Sequence, residues 1–401
     1  MSIYTLIRLS QAQMNIGITV SPSYPVPPHE GYGGTQRGAF ELATGLADRG
    51  HRVFLATTGD STIDHPDVEV IPTLPSSIYI DGPVEDANAE FLRRASEHNA
   101  VTAFESLQSK GELDVVNLRW ERAHTLKRLG ELGVPHILSI SCSLGKTVLD
   151  ELIEASSEDT YAMTAHTESH RMALGDERII VAPYGIDVHK IPFSDRPLSG
   201  SDAAPTLPLL QRLLQERRDY VLHLATIMPH KGQATSIAAA KQAGIPIIIA
   251  GTPSAMNPAL GQNYFDAQIA PHIDDQNVFY FGNANEIQKY ELMRGAVATL
   301  FSSGFEDPGF SEPFGRVLAE SLASGTPVVG YDNGAFNELV PQGIAGLSFE
   351  SIAEAAERIR QVSNLSRLAC RQHAENALSS ETFVNNMESL LQEATQEADV
   401  A

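Results

Sequence analysis

Ser311-Glu-Pro-Phe-Gly-Arg-Val-Leu-Ala-Glu320-Ser-Leu-Ala-Ser-Gly-Thr-Pro-Val-Val-Gly330 sets two carboxylates, Glu312 and Glu320, around a loop-to-helix turn and follows the helix at once with an apolar strand. Pro313 forces Glu312 into extended backbone, and Gly315 lets the chain approach a ligand closely. The spacing predicts a helix over residues 314–324, closed by Gly325 in a left-handed cap. The first amides of such a helix lack internal partners and suit anionic or hydroxyl-bearing ligands. Read by itself, Glu320 four residues after Arg316 is equally an i,i+4 surface pair worth a few tenths of a kcal/mol.

Outward from this stretch the chain alternates strand and helix. Residues 14–20 form a buried strand, a Pro- and Gly-rich loop follows over 21–34, and Thr35 is placed to cap a helix that Gly50 ends. Residues 51–56 are the next strand, which makes a βαβ opening and predicts a parallel sheet covered on both faces. Further strands are expected at 114–118, 136–140, 161–164 and 178–182. The stretch 196–219 is rich in Pro, Ser and Ala and is expected as a linker. A second series follows, with strands at 220–226, 246–250, 277–282, 297–301 and 328–331 and helices starting near Gly232, Glu286 and Gly315. The fold class is therefore α/β: two Rossmann-like domains with parallel sheets facing a cleft. The expected division is an extension over 1–13, a first domain over 14–195, the linker, a second domain over 220–378 and a final helix over 379–401. Phe383, Met387, Leu390 and Leu391 form a narrow apolar stripe on that helix, which is expected to pack back on the first domain.

The totals bound the function. At 401 residues the chain suggests about two domains. A formal net charge of −22 repels polyanions and argues against nucleic acid and against an anionic membrane surface. The basic cluster Arg119, Arg122, Lys127 and Arg128 also carries Glu121 and reads as a solvated helix face. No apolar run approaches the ~20 residues of a membrane helix. Residues 1–13 lack the apolar core of a secretory signal. The two cysteines, Cys142 and Cys370, fall in different halves, consistent with a reducing cytoplasm.

Three loops are expected to meet at the cleft, beyond the carboxyl ends of the strands. Glu30-Gly-Tyr-Gly33-Gly34-Thr35 offers a glycine pair before a helix; it is not a dinucleotide fingerprint, and alone it is equally a plain turn. Thr226-Ile-Met-Pro229-His230-Lys231-Gly232 puts a lysine at a helix start, suited to a pyrophosphate or simply to solvent. The third is the stretch quoted first.

Glu312 and Glu320 at this spacing, followed by Gly325-Thr-Pro-Val-Val, resemble the E-x7-E signature of family 4 of the retaining glycosyltransferases. Tyr32-Gly-Gly-Thr-Gln36, Arg49-Gly-His-Arg-Val53, Pro183-Tyr-Gly-Ile-Asp187, Pro229-His-Lys-Gly232 and Asn333-Gly-Ala-Phe-Asn-Glu338 extend the resemblance from residue 14 to about 391. It implies the GT-B fold with a C-terminal helix crossing back, a nucleotide-diphosphate sugar as donor, and neither cofactor nor metal. Position by position it implies that Gly33 and Gly34 approach the donor diphosphate and that Lys231 neutralises the leaving group. Glu312 would take sugar hydroxyls and Glu320 the ribose. Thr226, Phe314, Gly315, Arg316 and Val317 would complete the donor site. Ser141, Arg119 and His124 are expected on the side of a soluble acceptor, with His29 and His166 as further polar lining.

The chain departs from the family pattern at four places. Ala225-Thr226 stands where a Gly-Arg pair usually supplies a diphosphate clamp, and Ser141 where a histidine is usual. Tyr184 replaces the usual asparagine, and the loop 303–310 is longer. His230, Arg316 and Arg37 are the cations available to compensate. Two alternatives to transfer follow: a protein that binds a nucleotide-sugar without turnover, and a nucleotide-sugar epimerase or phosphorylase on the same fold.

Overall fold

A computed structural model describes residues 13–28, 33–80, 82–198, 207–216 and 218–398. Most of the N-terminal extension, His29, Tyr32 of the glycine motif and part of the expected linker lie outside the described residues.

The first sheet has seven parallel strands: β1 (Asn15–Val20), β2 (Arg52–Thr58), β3 (Val68–Leu74), β4 (Val115–Arg119), β5 (His136–Ser139), β6 (Thr160–Ala165) and β7 (Ile179–Val181), in the order β3-β2-β1-β4-β5-β6-β7. The second has six: β8 (Val221–Leu224), β9 (Ile247–Ala250), β10 (Val278–Gly282), β11 (Ala298–Phe301), β12 (Val328–Tyr331) and β13 (Gly346–Phe349), in the order β10-β9-β8-β11-β12-β13. The helices of the first half are α1 (Gly34–Ala47), α2 (Asp86–Ser109), α3 (Ala123–Glu131), α4 (Lys146–Ala155) and α5 (Glu168–Leu174). Those of the second are α6 (Pro208–Gln215), α7 (Gln233–Ala243), α8 (Pro258–Tyr264), α9 (Glu286–Gly295), α10 (Arg316–Ala323), α11 (Ala335–Leu339), α12 (Ile352–Gln361), α13 (Arg367–Ala377) and α14 (Ser380–Ala398).

Both sheets are two Rossmann-like units, and each reverses its strand order once, between β1 and β4 and between β8 and β11. At such a reversal neighbouring loops leave in opposite directions and open a crevice at the carboxyl ends of the strands. The loops after β1, β4, β8 and β11 are thereby brought to the cleft. Burial on both faces explains the continuous apolar runs: Ile247, Ile248, Ile249 and Ala250 are all fully buried.

Two strands escape a reading by apolar runs. β3 carries the exposed Glu69 and the exposed Pro72, which a sheet tolerates at an edge, where β3 lies. β13 is a four-residue edge strand opening with glycine. Within 196–219, expected as a linker, Pro208–Gln215 is a helix of the second domain with Leu207, Leu210 and Leu213 buried. Arg212 ties it down, donating to the Asp275 carbonyl at 2.7 Å and lying 5.1 Å from the Phe279 ring centroid. Pro208 starts that helix, at the position where a missing N–H costs nothing. Thr35 is not a cap: α1 begins at Gly34, with Gly33 in the capping position and no side-chain cap.

The C-terminal helix crosses back to the first domain. Phe383, Val384, Met387, Leu391 and Ala394 are buried on α14, while Leu390 packs at the margin. His51 Nε2 stands 2.9 Å from Glu388 Oε1, Arg49 donates to Asn385 Oδ1 at 2.6 Å, and Tyr161 donates to Glu393 at 2.7 Å.

Candidate active site

A cavity of about 580 Å³ lies between the domains. From the second domain its wall is built first by the loop after β8. There Lys231 ends a short 3-10 turn and Gly232, at φ 69°, turns the chain into α7. A Cβ on Gly232 would lie 2.5 Å from the Ser302 carbonyl oxygen, so only glycine lets this loop rest on the one after β11. That contact brings Lys231 Nζ to 2.6 Å from Glu312 Oε2, with both side chains largely buried.

The helix that follows Glu312 starts two residues later than the spacing predicts, at Arg316. Gly315 occupies its N-cap at φ 69° with no side chain on its amides. Phe314, Gly315, Arg316, Val317 and Thr226 all line the cavity, as do Gly33 and Gly34 across from them. Glu320 sits one turn into α10, 2.9 Å from Lys289 Nζ and 3.6 Å from Arg316. Burial works to raise its carboxyl, and Lys289 with Arg316 overcomes this and holds it below the usual range.

Arg316 joins the two domains. It makes a fork on Glu41 of α1, at 2.9 and 3.1 Å, and donates to the Tyr184 hydroxyl at 2.7 Å. Tyr184 fits because residue 38 is glycine: a Cβ there would lie 2.1 Å from the tyrosine oxygen. Other contacts close the same gap. Ser143 Oγ donates to the Ser311 carbonyl at 2.7 Å, Thr167 Oγ1 to the Pro313 carbonyl at 3.0 Å, and Arg37 pairs with Glu286 at 3.2 Å. Glu338 accepts from the amides of Glu168 and Ser169 at the start of α5, at 2.8 and 2.5 Å.

On the first-domain wall, Ser141 donates its amide to Glu121 Oε1 at 2.6 Å, and burial raises the Glu121 carboxyl. Arg119, the last residue of β4, lines the cavity but is 1% exposed. Burial pulls its guanidinium below the usual range, while Tyr184, Glu121 and Glu41 work the other way. His166 packs edge-on to Tyr184 and Phe314, and burial with Arg119 nearby keeps it neutral. His124, expected on the acceptor side, is exposed in the first turn of α3 and is not among the residues lining the cavity.

His230 does not supply a compensating charge. It stacks on Phe310 at 4.3 Å, and burial with Lys231 beside it pushes its pKa down to about 4. Arg37 and Arg316 are already paired with carboxylates. Lys289, Glu41 and Glu121 carry no motif in the sequence that marks them as site residues, because each reaches the cleft only through the tertiary fold. Tyr184 was legible only as a departure from a motif.

Two parallel doubly wound sheets across a cleft, with a last helix returning to the first domain, are the GT-B fold of glycosyltransferases. Residues 211–379 match the family model Glycosyl transferases group 1. Over 350 residues the chain is 26% identical to a phosphatidyl-myo-inositol mannosyltransferase of Mycolicibacterium smegmatis, a match covering 83% of this chain and 80% of the relative. Among solved structures, sucrose-phosphate synthase from Thermosynechococcus elongatus is similar with a TM-score of 0.73 at 17% identity, covering 96% of this chain and 100% of that one. The Anabaena protein HepE in complex with UDP and glucose has a TM-score of 0.69 at 18% identity, covering 94% and 99%.

Proposed function

We propose that the protein is a retaining glycosyltransferase of the family 4 type, moving a sugar from a nucleotide-diphosphate sugar to a soluble acceptor without a metal. The observation that carries this reading is the contact of Lys231 with Glu312 at 2.6 Å, facing the Gly33–Gly34 backbone across the cleft. A cation and a carboxylate held together in the free site are placed to exchange each other for the two ends of a donor's sugar phosphate. HepE, of the same fold, is seen with UDP and glucose, which supports this class of donor.

In this mechanism the diphosphate lies against the amides of Gly33 and Gly34 and takes Lys231 as its counter-charge. Glu312 accepts hydrogen bonds from sugar hydroxyls, and the amides of Phe314 to Val317 complete the sugar and phosphate site. Glu320 receives the ribose hydroxyls. The acceptor hydroxyl attacks the anomeric carbon on the face the diphosphate leaves, and its proton passes to the departing phosphate oxygen. Leaving-group charge then falls chiefly on Lys231, because Thr226 carries none and His230 is neutral.

The same shortage of charge favours a second reading, binding without turnover. Incubation with UDP-, GDP- and ADP-sugars separates the two. Release of free nucleotide by the wild type, lost in Glu312→Ala and Lys231→Ala, is the expected result. Tight nucleotide binding with no release, over an acceptor panel, selects the binding protein instead.

A further inference from the structure

One charged side chain on the first-domain wall has no hydrogen-bond partner among the described residues. Arg119 is 1% exposed and lies 5.7 Å from the Tyr184 ring centroid and 5.3 Å from that of Phe383. Rings placed over a guanidinium cover its faces, while its five N–H donors point outward in the plane and still require acceptors. Among the described residues none of Arg119 Nε, Nη1 and Nη2 has a hydrogen-bond partner. The nearby carboxylates are committed elsewhere: Glu41 gives both oxygens to Arg316, and Glu121 Oε1 accepts from Ser141 N. Donors left unpaired in a buried site are costly, and a site so built is completed by a ligand that supplies oxygens.

We propose that Arg119 anchors an anionic group, a phosphomonoester or a carboxylate, carried by the acceptor. The planar fork of a guanidinium matches two oxygens of either anion. Position assigns the anion to the acceptor rather than the donor. Arg119 ends β4 with Glu121 near it on the first-domain wall, whereas every charged side chain given to the donor, Lys231, Glu312 and Glu320, stands on the second domain, the first domain lending the donor only the backbone of Gly33 and Gly34. The assignment rests on the reading of the second domain as the donor side. It also explains why a chain of net charge −22 keeps an arginine buried here: the charge is reserved for a small anion at the cleft floor.

The test titrates the wild type, Arg119→Gln and Arg119→Lys with inorganic phosphate, glucose 6-phosphate, glucuronate and glucose by calorimetry. Each titration is run nucleotide-free and with UDP, GDP or ADP bound, and an unchanged far-UV circular dichroism spectrum and urea midpoint show that each variant is folded. The expected result is binding of phosphate and of at least one charged sugar, weakened about ten- to hundredfold in Arg119→Gln. Arg119→Lys restores part of it, nucleotide affinity stays within about twofold, and glucose is indifferent to all three forms. The stronger ligand of glucose 6-phosphate and glucuronate identifies the anion. Absence of anion binding, or binding equal in wild type and Arg119→Gln, overturns the proposal. Loss of nucleotide affinity in step with phosphate overturns it too, since Arg119 would then serve the donor. If the wild type binds anion at Arg119 but none of the nucleotides, the donor-side reading fails while the anion site stands.

Discussion

Replacing Lys231 with alanine removes the cation that the proposed mechanism sets against the leaving group, and one that is not locked into an inter-domain pair. Its Nζ is 2.6 Å from Glu312 Oε2, so on donor binding it is within reach of an oxygen carried by the sugar phosphate. Two unit charges 4 Å apart at an effective dielectric near 20 attract by about 4 kcal/mol. Removal of one preorganised donor from a developing oxyanion costs about 2.7–4 kcal/mol in comparable sites. Both routes give a fall of roughly a hundredfold to a thousandfold in kcat. The ground-state diphosphate also loses a charge-assisted contact of about 1.5–3 kcal/mol. Glu312, left buried beside no cation, repels phosphate less well screened than before and adds to that loss. The assay is nucleotide release under saturating donor, with donor affinity measured separately by calorimetry. A Lys231→Ala enzyme whose kcat stays within fivefold of wild type would refute the assignment of leaving-group charge to this residue.

Glu320→Gln is expected to raise the donor KM about ten- to hundredfold with kcat nearly unchanged; a kcat loss at constant KM contradicts its ribose role. It also breaks a buried pair with Lys289, at about 3–5 kcal/mol of stability. The double variant Glu320→Gln/Lys289→Met should recover much of that stability in urea unfolding without recovering KM. Gly38→Ala drives a methyl to within 2.1 Å of the Tyr184 oxygen and is expected to cost about 1–3 kcal/mol and to loosen the Arg316–Glu41 fork; an unchanged unfolding midpoint would dismiss the wedge. Burial lowers the pKa of His223 to about 3 and of His230 to about 4, and that of His136, His166 and His170 below the usual 6.5. The unfolded chain therefore binds more protons than the folded one. The stability these neutral histidines contribute is complete above pH 6.5 and is lost progressively as pH falls through 4 toward 3. Urea midpoints at pH 7.5 and 5 check this, and equal midpoints would rule it out.

How much of this was legible follows from where the information sits. Central parallel strands such as Ile247–Ala250 are buried on both faces, so their burial is written in consecutive apolar residues. Edge strands need no such run, and β3, with Glu69 and Pro72 turned out, leaves no comparable mark. Pro208 reads as a breaker in composition and is a helix start in context. At the cleft, Glu312, Lys231 and the glycine pair fall at loop-to-helix turns after strands, positions that the chain order itself marks. Lys289 lies in the first turn of α9 beside Tyr290 and meets Glu320 of α10 only through the tertiary fold. Arg119 was legible as a residue of the cleft, but its lack of partners depends on commitments made by Glu41 and Glu121, which no local pattern records. His124 illustrates the converse, a polar residue near a cleft loop whose helix turns it to solvent.

The central claim is that this cleft transfers a sugar with its anomeric configuration kept. Time-resolved proton NMR of the reaction, started from a donor of known configuration in the presence of an anionic acceptor, reads that directly from the anomeric signals of the first product formed. The account predicts free nucleoside diphosphate together with a glycoside of the donor's own configuration, both lost in Glu312→Ala. A product of inverted configuration, or a rearranged sugar still joined to its nucleotide, would contradict it.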